Sequence, residues 1–435
     1  VVAGLLPGFG TLGDRHGHRR LFMAGLAAFG LASLLAAFAA SALQLIIARA
    51  GLGVGAAMMM PATLAIIRDA FSDPRERSIA IGLWTGIASG GMALGPLVAG
   101  LLLTHFAWGS VFLINVPIVL LALLLTWLWV PARDAPGGPV WDLIGCAQIM
   151  VTLGSLVFAI QELARQDFST LRLAIGLVLC VVSGVVYLRR QALRTHPLLD
   201  LTMFRLPGFS AAFAAACLGT AGAVGAELAL SQYLQLVEQR APLQAALVLL
   251  PVAIAGFIAG PLAGRLLHRI SPVTFVCSAF LLAAACASAL AFVSSSLPHF
   301  AVVRMTLLAG IGLGIGAAAT FASSTIMQAA DAARAGMAAS IEEVGFELGN
   351  ALGVAVFGSL MSFAYALSMT DWPLAVRDSL DAALQIAATA PADTAAALRE
   401  AGRSAFTSAL HAVLIGVGML WMATALALIM RDPND

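Results

Sequence analysis

Polar residues along this chain are confined to short breaks, and between the breaks the sequence is apolar for about twenty residues or more at a time. A helix needs roughly 20 apolar residues to cross a bilayer. Twelve such runs are legible: Leu21–Leu43, Gln44–Ile67, Ile79–Thr104, Val111–Val130, Leu143–Ile160, Leu173–Leu188, Phe209–Val237, Gln244–Leu267, Val273–Val293, Phe300–Met327, Met337–Ala366 and Phe406–Met430. A partial run ending near Gly13 makes thirteen. Because Val1 already lies inside that run, the expectation is that at least one earlier span is missing from this chain. The breaks are the charged turn Gly10–Arg20, a second turn at Arg68–Arg77, a Pro/Gly-rich loop at 131–142, a basic segment from Arg189 to Gly208, and one long polar insertion at 367–405. Spaced charges among Ala and Leu from Asp378 to Arg403 predict short amphipathic helices within that insertion.

Composition agrees with the pattern. Of 435 residues, 61% are hydrophobic and 10% charged, against about a quarter charged in soluble domains. The net charge of +1 is uninformative, but its placement is not. There is no lysine, and most of the 23 arginines fall in breaks on the same side as Gly10–Arg20. The positive-inside rule therefore predicts that this side, and the C-terminus with it, is cytoplasmic. Cys146, Cys180, Cys217, Cys277 and Cys286 all lie in apolar runs without a CxxC pair, so they read as packing residues rather than disulfides or metal ligands. No phosphate-binding loop, dinucleotide fingerprint, nucleophile motif or nucleic-acid patch is present; no cofactor is expected.

A weak internal repeat relates the two halves. ARAGLGVGAAMMMPAT (48–63) resembles RMTLLAGIGLGIGAAATFASST (304–325), as expected where a central site lies between two related bundles. Four stretches carry chemistry. Gly10, Leu12, Asp14, Arg15, Gly17, Arg19 and Arg20 form a dense charged hairpin. Gly91, Gly95 and Gly100 thin one helix face, and Pro96 removes a backbone hydrogen bond there. Arg49 stands in an apolar run, where a centrally buried arginine costs roughly 2.5–3.5 kcal/mol and needs a partner or an aqueous cavity. Finally, Glu227, Glu342, Glu343 and Glu347 lie inside spans, Glu343 and Glu347 four residues apart on one helix face. Such acids must face a cavity, pair with arginine or stay protonated. A desolvated carboxyl that gives up its proton when a cation arrives is the chemistry of a proton/cation exchanger. Bland roles stay open for each: interface snorkelling for Arg49, close packing for the glycines, a polar helix end for Glu342 and Glu347.

These stretches bear a resemblance. Gly10–Arg20 is similar to the signature loop of the major facilitator superfamily, with His18 in place of the usual basic residue. Gly-x-x-x-Gly-Pro-x-x-x-Gly at 91–100 resembles the antiporter signature of its proton-linked exporters, with Ala99 replacing a glycine. Arg49 with the glycines after it resembles the family's fourth-span signature, with Leu52 where glutamine is common. SIEEVGFELGNALGVAVFGS (340–359) together with LSQYLQLV (230–237) resembles the fourteen-span drug:proton antiporters, especially exporters of quaternary ammonium and other lipophilic cations. The similarity covers nearly the whole chain.

The resemblance implies an all-α membrane protein with two six-helix bundles: 1–130, lacking its first span, and 209–435, separated by two extra spans and a linker at 131–208. It implies proton-driven antiport in a bacterial inner membrane by a monomer, with lipophilic cations, protons and the bilayer as partners, and no metal or nucleic acid. Glu342 and Glu343 match the paired acids of its penultimate span. Glu227, six residues before Tyr233, approximates a second acid, and Asp142 falls where the seventh span starts. Asp14, Arg15, Arg49, Gly95 and Pro96 would relay protons or gate. Tyr233, Trp84, Met58, Met59, Phe112 and Phe346 would line an adaptable cavity. A facilitator exporting another metabolite, peptide or lipid, a proton-coupled importer, and a non-transporting membrane protein remain as alternatives.

Overall fold

The computed structural model describes residues 2–131, 142–163, 169–194, 201–206, 208–267, 269–293, 299–330 and 335–430; the side chains of 3, 89, 92–94, 96, 163, 201 and 335 lie outside the described set. Among the described residues every regular element is helical. In order these are α1 (Val2–His16), α2 (His18–Ala37), α3 (Ala42–Ala70), α4 (Pro74–His105), α5 (Ser110–Leu113), α6 (Asn115–Trp129), α7 (Leu143–Leu163) and α8 (Thr170–Ala192). After a 3-10 turn at Leu201–Arg205 come α9 (Phe209–Leu236), α10 (Pro242–Leu266), α11 (Pro272–Ala291), α12 (Phe300–Ala329), α13 (Ala335–Ser368), α14 (Leu374–Arg377), α15 (Leu380–Thr389) and α16 (Ala392–Ile429).

The helices begin where their sequences provide a stop for the orphan amides of a first turn. Ser41 accepts from the Gln44 N–H (3.2 Å) and Asp73 from the Arg75 N–H (2.9 Å), while Pro74, Pro242 and Pro272 stand at first-turn positions. Among the described residues eleven helices are long and apolar enough to cross a membrane, α5 and α6 together counting as one. The outward faces of α2, α6 and α8 are bare hydrocarbon: Leu31, Leu35, Leu120, Leu124, Val178 and Val182 are all exposed. In lipid that exposure costs nothing, so the protein is a multi-pass membrane protein. Helix contacts inside the bundle instead use small residues that let backbones touch. A Cβ at Gly353 of α13 would lie 2.5 Å from the Ala221 carbonyl oxygen of α9, and one at Gly264 of α10 equally close to that of Ser78 at the start of α4.

The largest difference in a boundary from the sequence reading is at the last helix. The last helix starts at Ala392, not near Phe406, and runs unbroken to Ile429. Pro391 sets its start, and the Ala-rich stretch that follows contains nothing but Gly402 to weaken it, so helix propensity outweighs the polarity used to place the boundary. The insertion is thus α14, α15 and the first turns of α16. The buried face of α15 (Leu380, Ala383, Ala387) packs on α16, with Leu380 against Gly402.

α13 sits at a seam. It contacts α9, α12 and α16 on one side and α1 and α3 on the other. Ile341 belongs to the large apolar core of the second half, while Val344 packs on the smaller core formed by Leu6, Phe9, Leu21, Ala57 and Ala62.

Candidate functional site

Residues four and three apart on a helix share a face. On α13 this places Gly336, Ser340, Glu343 and Glu347 along one line, with Glu342 turned away from it. The line meets α1 at its lower end: a Cβ at Gly10 would collide with Ser340 and the Gly336 backbone. Gly336 is in the first turn of α13, so its N–H has no helical acceptor. It donates to Asp14 Oδ1 (3.0 Å), and His18 Nε2 lies 3.2 Å from the same oxygen. The positive end of the α13 dipole reinforces this contact with a carboxylate. Nearby, the Arg68 guanidinium donates to the Ala330 carbonyl and Gln328 Nε2 to Ser78 Oγ (3.1 Å). The end of the bundle that carries the Gly10–Arg20 loop is therefore clasped across the two halves. Arg15 is half-buried beside the clasp.

Deeper along α13 the acids appear. Glu342 is fully buried. Ser323 of α12 donates its hydroxyl to Oε1, and Oε2 has no hydrogen-bond partner among the described residues. Glu343 is 2% exposed, and its Oε1 is likewise without a partner among them. No arginine or histidine forms an ion pair with either acid among the described residues. Glu347 is half-buried on the same face as Glu343. Ionising Glu342 or Glu343 in this setting places a charge in low dielectric with nothing opposite it, which a bound cation or a proton relieves.

Glu227 is elsewhere. It is exposed on α9, and the packing of Gly349 on Cys217 and Gly353 on Ala221 sets it level with Ser359, about 24 Å beyond Glu343 at 1.5 Å per residue. The structure does not bring it into contact with the α13 acids. It adjoins Leu228, which lines a cavity of about 710 Å³ between α7, α9, α13 and the insertion. Gln161, Gln232, Met361, Tyr365, Asp378 and Phe406 are among its walls. None of the residues expected to line a cavity borders this one. Met58 packs against the α1 side, while Trp84, Tyr233 and Phe346 pack on the large core. Arg49 is exposed on the second turn of α3. α4 continues unbroken through Gly95 and Pro96; a Cβ at Gly91 or Gly95 would meet nothing within 4 Å, and the Pro96 side chain is outside the described set.

A model described as Major Facilitator Superfamily matches residues 1–354. The chain belongs to the major facilitator superfamily. Members of this superfamily move solutes and are not enzymes. The chain is 36% identical over 434 residues to the multidrug efflux pump LfrA of Mycolicibacterium smegmatis, covering 98% of this chain and 85% of that one. It is 34% identical over 439 residues to the methyl viologen resistance protein SmvA of Salmonella typhimurium, covering 98% and 88%. Among solved structures, human MFSD10, titled an organic anion transporter, matches with a TM-score of 0.66 at 15% identity, covering 98% of this chain and 81% of that one. At that identity the likeness is one of fold.

Sequence reasoning missed the partners that decide which acids are free. Ser323 reads as one more small residue in an apolar helix. Arg190 and Arg194, which close on Asp142, read only as topological charges. An i, i+4 search within a segment cannot find Ser323 and Glu342, which are 19 residues apart on different helices.

Proposed function

We propose that this protein exports lipophilic cations in exchange for protons. The observation that carries the reading is the pair of fully buried glutamates on α13, at the seam between the halves, with no basic partner among the described residues. An isolated charge at such depth costs roughly 2.5–3.5 kcal/mol, so the pair is occupied alternately by protons and by a cation that brings its own charge. Glu342 and Glu343 are the exchanging groups. Glu227, exposed beside the cavity, takes the cation at a second level. The relative named for resistance to methyl viologen, a dication, supports a cationic cargo.

The arginine distribution supports a cytoplasmic location for the clasped end, in a bacterial inner membrane, with five spans in the bundle at 1–130 and six in the bundle at 209–435. The Asp14–Gly336 contact then favours a state closed to the cytoplasm, and protonation from the opposite side accompanies release of cargo. No cofactor is needed beyond the proton gradient, and a single chain carries Glu227, Glu342 and Glu343. The test is ethidium or quaternary-ammonium efflux from proteoliposomes with an imposed pH gradient. Efflux that collapses with the gradient supports the reading; gradient-independent flux, or flux of anions only, overturns it.

A further inference from the structure

The hairpin formed by α7 and α8 is pinned at each end by a buried carboxylate. At one end Glu162 accepts from Arg172 Nε (2.9 Å) and from the Ser169 N–H (3.0 Å). At the clasped end Asp142 is surrounded. Arg190 grips it with both Nη atoms at 2.8 Å, Gln191 Nε2 donates at 3.2 Å and the Gly145 N–H at 3.0 Å, and Arg194 Nη1 approaches to 3.1 Å. These are five donors on a group with about four lone-pair sites.

The charges do not balance. Arg189, Arg190 and Arg194 stand within two turns, and Asp142 is the only carboxylate paired with any of them among the described residues. Among the described residues, three guanidinium groups against one carboxylate leave an excess of two positive charges. Arg194 is 38% exposed, and Arg189 is exposed. By helical spacing Arg189 shares a face with Val182, Val185 and Val186, all exposed, so the guanidinium terminates a bare apolar stripe. Tyr187, one turn before Arg190, is buried to 7% exposure, and its hydroxyl has no partner among the described residues.

We propose that the Arg189–Arg194 end of this hairpin binds the phosphate headgroup of an anionic phospholipid, whose acyl chains lie along the Val182–Val186 stripe of α8. The headgroup supplies the missing negative charge, and the stripe supplies the apolar contact a soluble anion cannot use. Arginines at a membrane surface attract anionic lipid electrostatically. The site is separate from the α13 acids and stands whether or not cations are the cargo.

The experiment uses the whole purified chain in detergent and reads the unfolding midpoint and lipid retention by native mass spectrometry. The probes are phosphatidylglycerol, phosphatidylcholine of the same acyl composition, and inorganic phosphate. Phosphatidylglycerol raises the midpoint by roughly 2–4 °C over phosphatidylcholine; inorganic phosphate does not. The increment and the retained lipid disappear in Arg189→Gln/Arg194→Gln and persist in Arg265→Gln/Arg269→Gln, which removes two exposed arginines elsewhere at the same end. If the double variant at 189 and 194 fails to fold, Arg189→Gln alone must reduce the increment. Equal stabilisation by both lipids, an equal effect of inorganic phosphate, or an undiminished increment in the Arg189 variants overturns the site.

Discussion

Two pairs of carboxylates in this chain are equally buried and oppositely treated. Asp142 and Glu162 are 5% and 1% exposed; Glu342 and Glu343 are 0% and 2%. The hairpin acids are met by arginine, glutamine and backbone N–H groups, five donors on Asp142 and two on Glu162 Oε1. The α13 acids receive one serine hydroxyl between them among the described residues. Burial alone therefore does not distinguish a structural acid from one proposed to exchange. A saturated carboxylate holds a fixed charge and ties helices together, whereas one without a counter-charge is a vacancy that a mobile cation or proton fills.

The comparison breaks most visibly in Glu342→Gln/Glu343→Gln. This double variant inserts and folds as the parent does, and proton-driven efflux in proteoliposomes drops to background. Asp142→Ala does the reverse. Removing it leaves Arg190 and Arg194 facing each other, costing roughly 2–3 kcal/mol after allowance for their partial exposure. Denaturation in detergent measures that loss, and flux per folded molecule is retained.

The third effect depends on pH. Desolvation on its own would push the Asp142 carboxyl up, but hydrogen bonds from Arg190, Gly145 and Gln191 and the Arg190 charge outweigh it and hold it below its ordinary value of 3.8. A depressed carboxyl contributes stability that is fully present above that value and is lost as pH falls through the folded one. The difference in unfolding midpoint between the parent and Asp142→Asn is accordingly constant near neutrality and shrinks below pH 3.8. The smallest effect is at the clasp. Asp14→Asn weakens the interaction with the α13 N-terminus by about 0.3–1 kcal/mol, and spin-label distances between the ends of α1 and α13 shift modestly toward separation.

Much of the fold was legible because lipid imposes a simple rule: long apolar runs, short polar breaks and small residues where helices meet. The boundary at Ala392 was not, since hydropathy marks the bilayer edge and a helix can continue past it. At the site, Glu342 and Glu343 stand out as charges in an apolar run, and Asp14 stands out within its loop. Their meaning was not legible. Ser323, Gly336 and Arg190 reach their carboxylates from distant parts of the chain, and only packing shows that Asp142 is filled while Glu343 has no basic partner among the described residues. For Arg49 the sequence left both a buried and a snorkelling place open, and packing puts it exposed on the first turns of α3.

The central claim is that the α13 glutamates trade protons for cargo. It is tested most directly by adding methyl viologen or ethidium to the purified protein in weakly buffered detergent solution and following proton release with a pH indicator. The parent releases protons in proportion to cation bound, and Glu342→Gln/Glu343→Gln does not. Undiminished release by the double variant, or saturable cation binding by the parent with no release over the neutral range, would contradict it.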